Sequence, residues 1–339
     1  MIAKIKKWFI ELILITLAIS GCTRSVPING SSLDKGEKAG KGFSLIPEGW
    51  FKAKTTVTLP GDYVQTLTVK AETIEEAKTR SYALHVPGSY DGKTAVPLVV
   101  MLHGTGDTSA NFAAETGMDI NSNEQGFIVV YPDSFGSPAT WNSGFMDGAQ
   151  ADDVAYLSAL IDHFLKDFNV DPKRVYVVGF FDGGMMAHKL AASLSDKIAG
   201  IGVVGGTIGY QKAKDQVLTV DPAVAPVSAI VIHGVKDPKV PFEVNKVLAK
   251  GKAGFLPAFG GVKYWLEQDK CAPKGDLKVK QNENIRITTY SCQDGTAVQS
   301  IAIWNGVHEW FDVKAQKDGK SGISATAKIL EFLFAHSRP

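Results

Sequence analysis

Apolar runs alternate with polar, glycine-bearing stretches along most of the chain. Pro97–Leu102 (PLVVML), Gly126–Tyr131 (GFIVVY) and Arg174–Gly179 (RVYVVG) are short and nearly uninterrupted, as expected of strands buried on both faces of a parallel sheet. Ala229–His233 (AIVIH) and Val298–Trp304 (VQSIAIW) continue the series. Helical spacing appears between them. In Asp152–Phe168, Val154, Leu157, Leu160, Ile161, Phe164, Leu165 and Phe168 share one face. Asp152 or Asp153 can cap its start, and Asp171-Pro172 lies beyond its end. Gly184–Leu194 and Ser324–Ala335 read the same way, while Thr55–Leu59, Val64–Val69 and Thr79–Val86 are β-rich. Strands alternating with helices predict βαβ units and a mainly parallel sheet in one α/β domain, residues 43–339.

The first residues follow a different pattern. Lys4, Lys6 and Lys7 precede an apolar run from Trp8 to Ile19, broken only by Glu11 and Thr16. That run is too short to span a bilayer, so it reads as a signal peptide over residues 1–21. Ile19-Ser20-Gly21-Cys22 resembles the lipobox of bacterial lipoproteins, in which the cysteine is acylated; a plain secretory signal is the alternative. Residues 22–42, rich in Ser, Gly, Lys and Asn, then read as a flexible tether. The domain is thus expected to be exported and held at a membrane surface through the lipid alone, or secreted.

Composition narrows the class. Of 339 residues, 45% are hydrophobic and 21% charged, enough for a sizeable core. A net charge of +1, with no basic stripe interleaved with aromatics, argues against nucleic acid as a partner. With Cys22 lipidated, Cys271 and Cys292 remain as a pair in an oxidising compartment, which points to a disulfide. It would staple a hairpin, Leu277–Tyr290, turning at Gln281-Asn282-Glu283-Asn284; two buried thiols are the alternative.

Val175–His188 (VYVVGFFDGGMMAH) is the most informative segment. A β-branched strand runs into Gly179-Phe180-Phe181-Asp182-Gly183-Gly184 and straight on into a helix. This is the context of the G-x-S-x-G nucleophile elbow, whose outer glycines let strand and helix approach closely. Gly179 and Gly183 fit, but the central position is Phe181. His103-Gly104-Thr105-Gly106, at the end of an apolar run, is the kind of turn that supplies an oxyanion-hole amide. Asp237 lies on a loop after Ala229–His233, and His308 on a loop after Val298–Trp304. Elbow, acid and histidine therefore occur in the chain order of α/β-hydrolases, at the sheet edge where ligands bind.

The run SYALHVPGSYDG, PLVVMLHGTGD, GFIVVYPD, VDPKRVYVVGFFDGGMMAHKLA, IHGVKDPKVPF and GVHEW resembles the esterase family of polyhydroxybutyrate depolymerases and feruloyl esterases. The likeness extends from about Thr79 to the C-terminal helix. It implies an α/β-hydrolase fold and hydrolysis of a carboxylic ester, in a small molecule or polymer, by a Ser-His-Asp triad without metal or organic cofactor. By position it implies His308 as the histidine, Asp237 as the acid, Thr105 and Asp182 as oxyanion donors, and Cys271 with Cys292 as a family cysteine pair. The nucleophile position falls on Phe181.

A phenyl ring has neither a lone pair nor an ionisable proton, so it forms no acyl-enzyme. From an elbow it would point at His308 and fill the space of a scissile carbonyl. Serine-dependent hydrolysis is therefore expected to be lost or severely impaired. The alternatives are a ligand-binding pseudoenzyme and a hydrolase using Asp182 as a carboxylate nucleophile. Trp141 and Trp310 are candidates to line a substrate cleft, with core packing as the competing reading. Met185, Met186 and His188 read as packing residues, and the seven histidines show no metal-ligand spacing.

Overall fold

A computed structural model describes residues 59–70, 72–146, 149–243, 251–280, 284–311 and 322–339, with only the backbone over 276–280. The expected leader, Cys22, the tether and all of Thr55–Leu59 but Leu59 lie outside the described residues.

Thirteen strands are present among the described residues: β1 Gly61–Thr68, β2 Thr79–Val86, β3 Val96–Leu102, β4 Ile128–Pro132, β5 Val170–Phe180, β6 Gly200–Val204, β7 Gly209–Ala213, β8 Gln216–Thr219, β9 Ser228–Gly234, β10 Gly254–Phe255, β11 Asp276–Lys280, β12 Ile285–Ser291 and β13 Ala297–Ile303. Ten form one sheet in the order β1-β2-β4-β3-β5-β6-β9-β13-β12-β11, and β10-β7-β8 form a small second sheet. The six strands from β4 to β13 are parallel; the pairs outside them are antiparallel. This is the mainly parallel sheet that the apolar runs predict.

Alternation along the central strands explains those runs. Val100 and Val177 face one layer, where α3 (Asp153–Asp167), α4 (Asp182–Ser193) and α5 (Ala258–Gln268) bury Leu160, Met186 and Trp265. Met101 and Val178 face the other, where α1 (Ser109–Thr116), α2 (Met118–Gln125) and α6 (Ala325–Leu333) bury Phe112, Met118 and Ile329. Each such aliphatic side chain contributes roughly 1.5–3 kcal/mol when buried, so a strand covered on both sides gains from apolar residues at every position. Caps set the helix ends: Asp152 accepts from the Ala155 amide at 3.0 Å, and Ser324 from Ala327 at 3.2 Å. No helix among the described residues is long and apolar enough to cross a membrane.

Strand β5 begins earlier than its apolar run, at Val170, and takes in Asp171-Pro172. Its register with β3 shifts between Val96 and Leu98, and such an irregularity tolerates a proline that donates no ladder hydrogen bond. Cys271 and Cys292 are disulfide-bonded and flank the antiparallel β11–β12 pair, as the staple reading expects.

Asp269, which follows α5, is buried, accepts from the Val227 amide at 3.4 Å and leaves Oδ2 without a partner. Burial, against that one hydrogen bond, pushes its pKa up to about 7. The folded protein thus keeps a proton that the unfolded chain releases near pH 4. This contribution is complete below about pH 4 and is lost as the pH rises through about 7, an effect on the order of a few kcal/mol. Asp269→Asn is expected to flatten the fall in Tm between about pH 5 and 8. An equally steep fall in the variant would contradict the assignment.

Candidate active site

The turn from β5 into α4 has the tight geometry that its glycines predict. A Cβ on Gly179 would lie 2.2 Å from the Gly183 backbone, and one on Gly183 would lie 2.2 Å from the Leu102 carbonyl oxygen. Between them Phe181 adopts φ 52°, ψ −113°, a conformation a bulky L-residue rarely takes. The surroundings hold it there. Its amide donates to Val204 O and its carbonyl accepts from the Met185 amide, both at 3.0 Å.

Two loops bring the acid and the histidine to this turn. Val235 and Lys236 amides donate to Ile303 and Gly306 carbonyls, tying the loop after β9 to the loop after β13. His308 Nδ1 donates to Asp237 Oδ2 at 2.7 Å. With its proton on Nδ1, the imidazole keeps a lone pair on Nε2, and that atom is buried with no hydrogen-bond partner. Asp237 Oδ1 accepts from the Lys239 and Val240 amides at 2.8 and 3.0 Å. Burial works to raise the Asp237 pKa, but hydrogen bonds from His233, His308 and the Val240 amide outweigh it and hold the carboxylate well below its usual range.

The side chain at the elbow faces this histidine. The Phe181 ring stands perpendicular to the His308 imidazole, with centroids 4.8 Å apart, and the Phe180 ring lies 5.0 Å from the same imidazole. Phe255 meets Phe181 edge-on at 6.0 Å, and Lys239 Nζ lies 5.4 Å from its ring centre. Two phenyl rings therefore flank the imidazole that would receive a proton from a nucleophile.

Thr105 follows β3 beside Asp182, the first residue of α4. The Asp182 carboxyl is fully buried and accepts from the Trp141 amide at 3.0 Å; burial raises its pKa against that bond. This side chain fixes the turn and has no exposed surface for attacking a substrate, which weighs against the aspartate-nucleophile alternative. His103 completes the arrangement: Nδ1 donates to Gly104 O at 2.9 Å and Nε2 accepts from the Ser134 amide at 3.2 Å.

The expectation that Trp141 and Trp310 line a cleft needs correcting. Trp141 is fully buried and donates Nε1–H to His103 O at 2.9 Å, so it braces the turn after β3 against the start of α4. Trp310, also buried, donates to Thr326 Oγ1 at 3.2 Å and packs edge-on against Phe112, joining α6 to α1. Met185, Met186 and His188 are fully buried packing residues, as read from the sequence. His188 Nδ1 accepts from Trp265 Nε1, and burial drives its pKa down to about 3, so it stays neutral. Sequence reading did not single out His233, whose Nε2 donates to Val240 O at 2.9 Å and lies 3.2 Å from Asp237 Oδ2. Its place at the end of an apolar strand, four residues before Asp237, was the available signal.

Residues 80–232 match the model of the family described as esterase PHB depolymerase. These residues are similar to that family. A bifunctional acetylxylan esterase/xylanase of Neocallimastix patriciarum is 26% identical over 252 residues, covering 68% of this chain and 34% of the relative. The protein named "Probable feruloyl esterase C" of Aspergillus niger is 26% identical over 197 residues, covering 56% of this chain and 67% of the relative. The chain thus spans about a third of the first relative's length and two thirds of the second's. An acetyl xylan esterase structure from Aspergillus awamori aligns with a TM-score of 0.51 at 16% identity, covering 76% of this chain and 98% of that one. That likeness concerns the fold, which is the α/β-hydrolase fold common to the esterases.

Proposed function

We propose that this chain is an exported esterase of the polyhydroxybutyrate-depolymerase and feruloyl-esterase type whose serine chemistry is silenced at Phe181. In a working triad the histidine takes the serine proton through Nε2, the acid orients the imidazole, and two amides bind the developing oxyanion. Asp237 and His308 supply the acid and the base, with the Thr105 and Asp182 amides as the oxyanion donors. Phe181 takes the place of the nucleophile and can form no covalent acyl intermediate. The observation carrying the reading is the Phe181 ring held 4.8 Å from an otherwise intact His308–Asp237 pair. The lysine-rich leader and the lipobox-like segment ending at Cys22 support export and a lipid anchor.

The test is direct. The unmodified chain, given p-nitrophenyl acetate and methyl ferulate, is expected to hydrolyse neither above the rate shown by its own His308→Ala variant. Turnover that requires His308 would refute silencing.

A further inference from the structure

Strands β12 and β13 bury one face of their pairing and leave part of the other open. Ile285, Ile287, Ile301 and Ile303 join the apolar layer that holds α6. Arg286, Thr288 and Tyr290 alternate with them along β12. Arg286 and Thr288 pair with Ala302 and Ser300 of β13, so these side chains share the opposite face. On the central strands that face is apolar and covered by helices. Here the pattern breaks, and a cleft of about 180 Å³ is lined by Ser300, Ala302 and their neighbours. Phe259 of α5 and Phe242, from the loop beyond Asp237, also line it, with ring centroids 6.1 Å apart. So does Trp304, whose ring centre lies 5.4 Å from the Arg286 guanidinium.

The polar groups of this cleft have no work within the chain. Arg286 and Glu243 both line it, yet among the described residues neither makes an ion pair or a hydrogen bond. The side-chain hydroxyls of Thr288 and Ser300 also lack a partner there, although Ser300 is buried. Trp304 keeps 39% of its surface exposed, unlike Trp141, Trp265 and Trp310, which are all buried. Aromatic walls with a few convergent, unpaired polar groups are the make-up of a small-molecule site.

We propose that this cleft binds a neutral sugar of pyranose size, free or as one unit of a polysaccharide. Size limits the ligand first, since a cavity of about 150 Å³ holds a benzene and one six-membered ring is what fits here. Charge limits it next. An anion drawn to Arg286 is opposed by Glu243, and a cation meets the reverse. A ring carrying hydroxyls uses both, because each hydroxyl donates and accepts: Arg286 donates, Glu243 accepts, and Thr288 and Ser300 do either. The C–H faces of the sugar then pack against Trp304 and the two phenyl rings. None of the lining residues belongs to the elbow or to the Asp237–His308 pair, so sugar binding here needs neither a serine nor ester hydrolysis.

The experiment is saturation-transfer NMR on the full chain with methyl β-D-glucopyranoside, methyl β-D-xylopyranoside, cellohexaose and sodium benzoate. Transfer to the ring protons of at least one glycoside is expected, with a Kd of about a millimolar, as suits a ligand of about a dozen non-hydrogen atoms. Trp304→Ala, Arg286→Ala and Glu243→Gln, all at exposed positions, should each weaken binding about ten-fold, with melting curves confirming that the variants fold. His308→Ala should leave it unchanged. Tighter binding of cellohexaose than of the monosaccharides supports a polysaccharide source, and equal affinity supports a free sugar. No transfer to any sugar at up to about 50 mM, or binding unchanged in all three cleft variants, overturns the proposal. Benzoate bound more tightly than every sugar, and lost in Arg286→Ala, replaces the sugar with an aryl carboxylate. Binding lost in His308→Ala but kept in the cleft variants moves the sugar to the elbow and overturns the site.

Discussion

Phe181→Ser is expected to raise hydrolysis of p-nitrophenyl acetate by on the order of 10³-fold or more over the unmodified chain. The elbow turn and the Asp237–His308 pair that such a hydroxyl would use lie side by side. The elbow backbone already holds residue 181 at φ 52°, and Met185 and Val204 fix that turn by hydrogen bonds to its carbonyl and amide. His308 Nε2 is buried and unpartnered, and the ring replaced by the hydroxymethyl group is the one packed perpendicular to it. Removing the phenyl also opens space for the acyl carbon. Phe181→Ala separates these effects, because it opens the same space without a nucleophile. It should stay at background, and adding His308→Ala to the serine variant should return the rate to that level. If the serine variant is folded yet no faster than the alanine variant, the Asp237–His308 pair is not a working catalytic remnant, and a purely ligand-binding role takes its place.

The prospects of that experiment rest on how much of the site could be read from residues alone. Gly179, Gly183, Asp237 and His308 were legible because each follows an apolar run of the length a buried parallel strand needs, and the fold brings those strand ends to one edge. The aromatic enclosure was less so. Phe255 lies on a strand of two residues, paired with the short, largely polar β7, where no period is long enough to detect. Helix α2, MDINSNEQ, buries only Met118 and Ser122, so its sequence shows no apolar stripe. Tryptophans misled for a physical reason. Their indoles suit a cleft and a core equally, and the choice depends on whether the ring N–H finds a carbonyl, which only the folded chain reveals: His103 O provides it for Trp141. His233 was hidden similarly, since a histidine closing an apolar strand gives no sign that its ring will reach the Asp237 carboxylate.

Gly183→Ala is expected to cost more than about 4 kcal/mol of stability, the range reserved for severe steric or burial defects. The added Cβ would sit 2.2 Å from Leu102 O and 2.5 Å from His103 O, where ordinary contacts are 3.4–4 Å. Both obstacles are backbone atoms at the end of a central strand, so no side chain can swing aside. Either β3 or α4 must move by about an ångström through layers packed to crystal-like density. Moving α4 would carry the Asp182 amide away from Thr105 and break the Trp141 brace between them. Gly260→Ala is the control. Within α5 its Cβ would meet nothing nearer than 4.0 Å, and glycine in a helix costs roughly 0.5–1 kcal/mol relative to alanine, so this variant should gain slightly. Denaturant melts of the two variants read the contrast. A Gly183→Ala protein as stable as the unmodified chain would mean that strand and helix are not locked together at this turn. The positive-φ conformation of Phe181 would then lose the packing that explains why so strained a residue persists without a serine to serve.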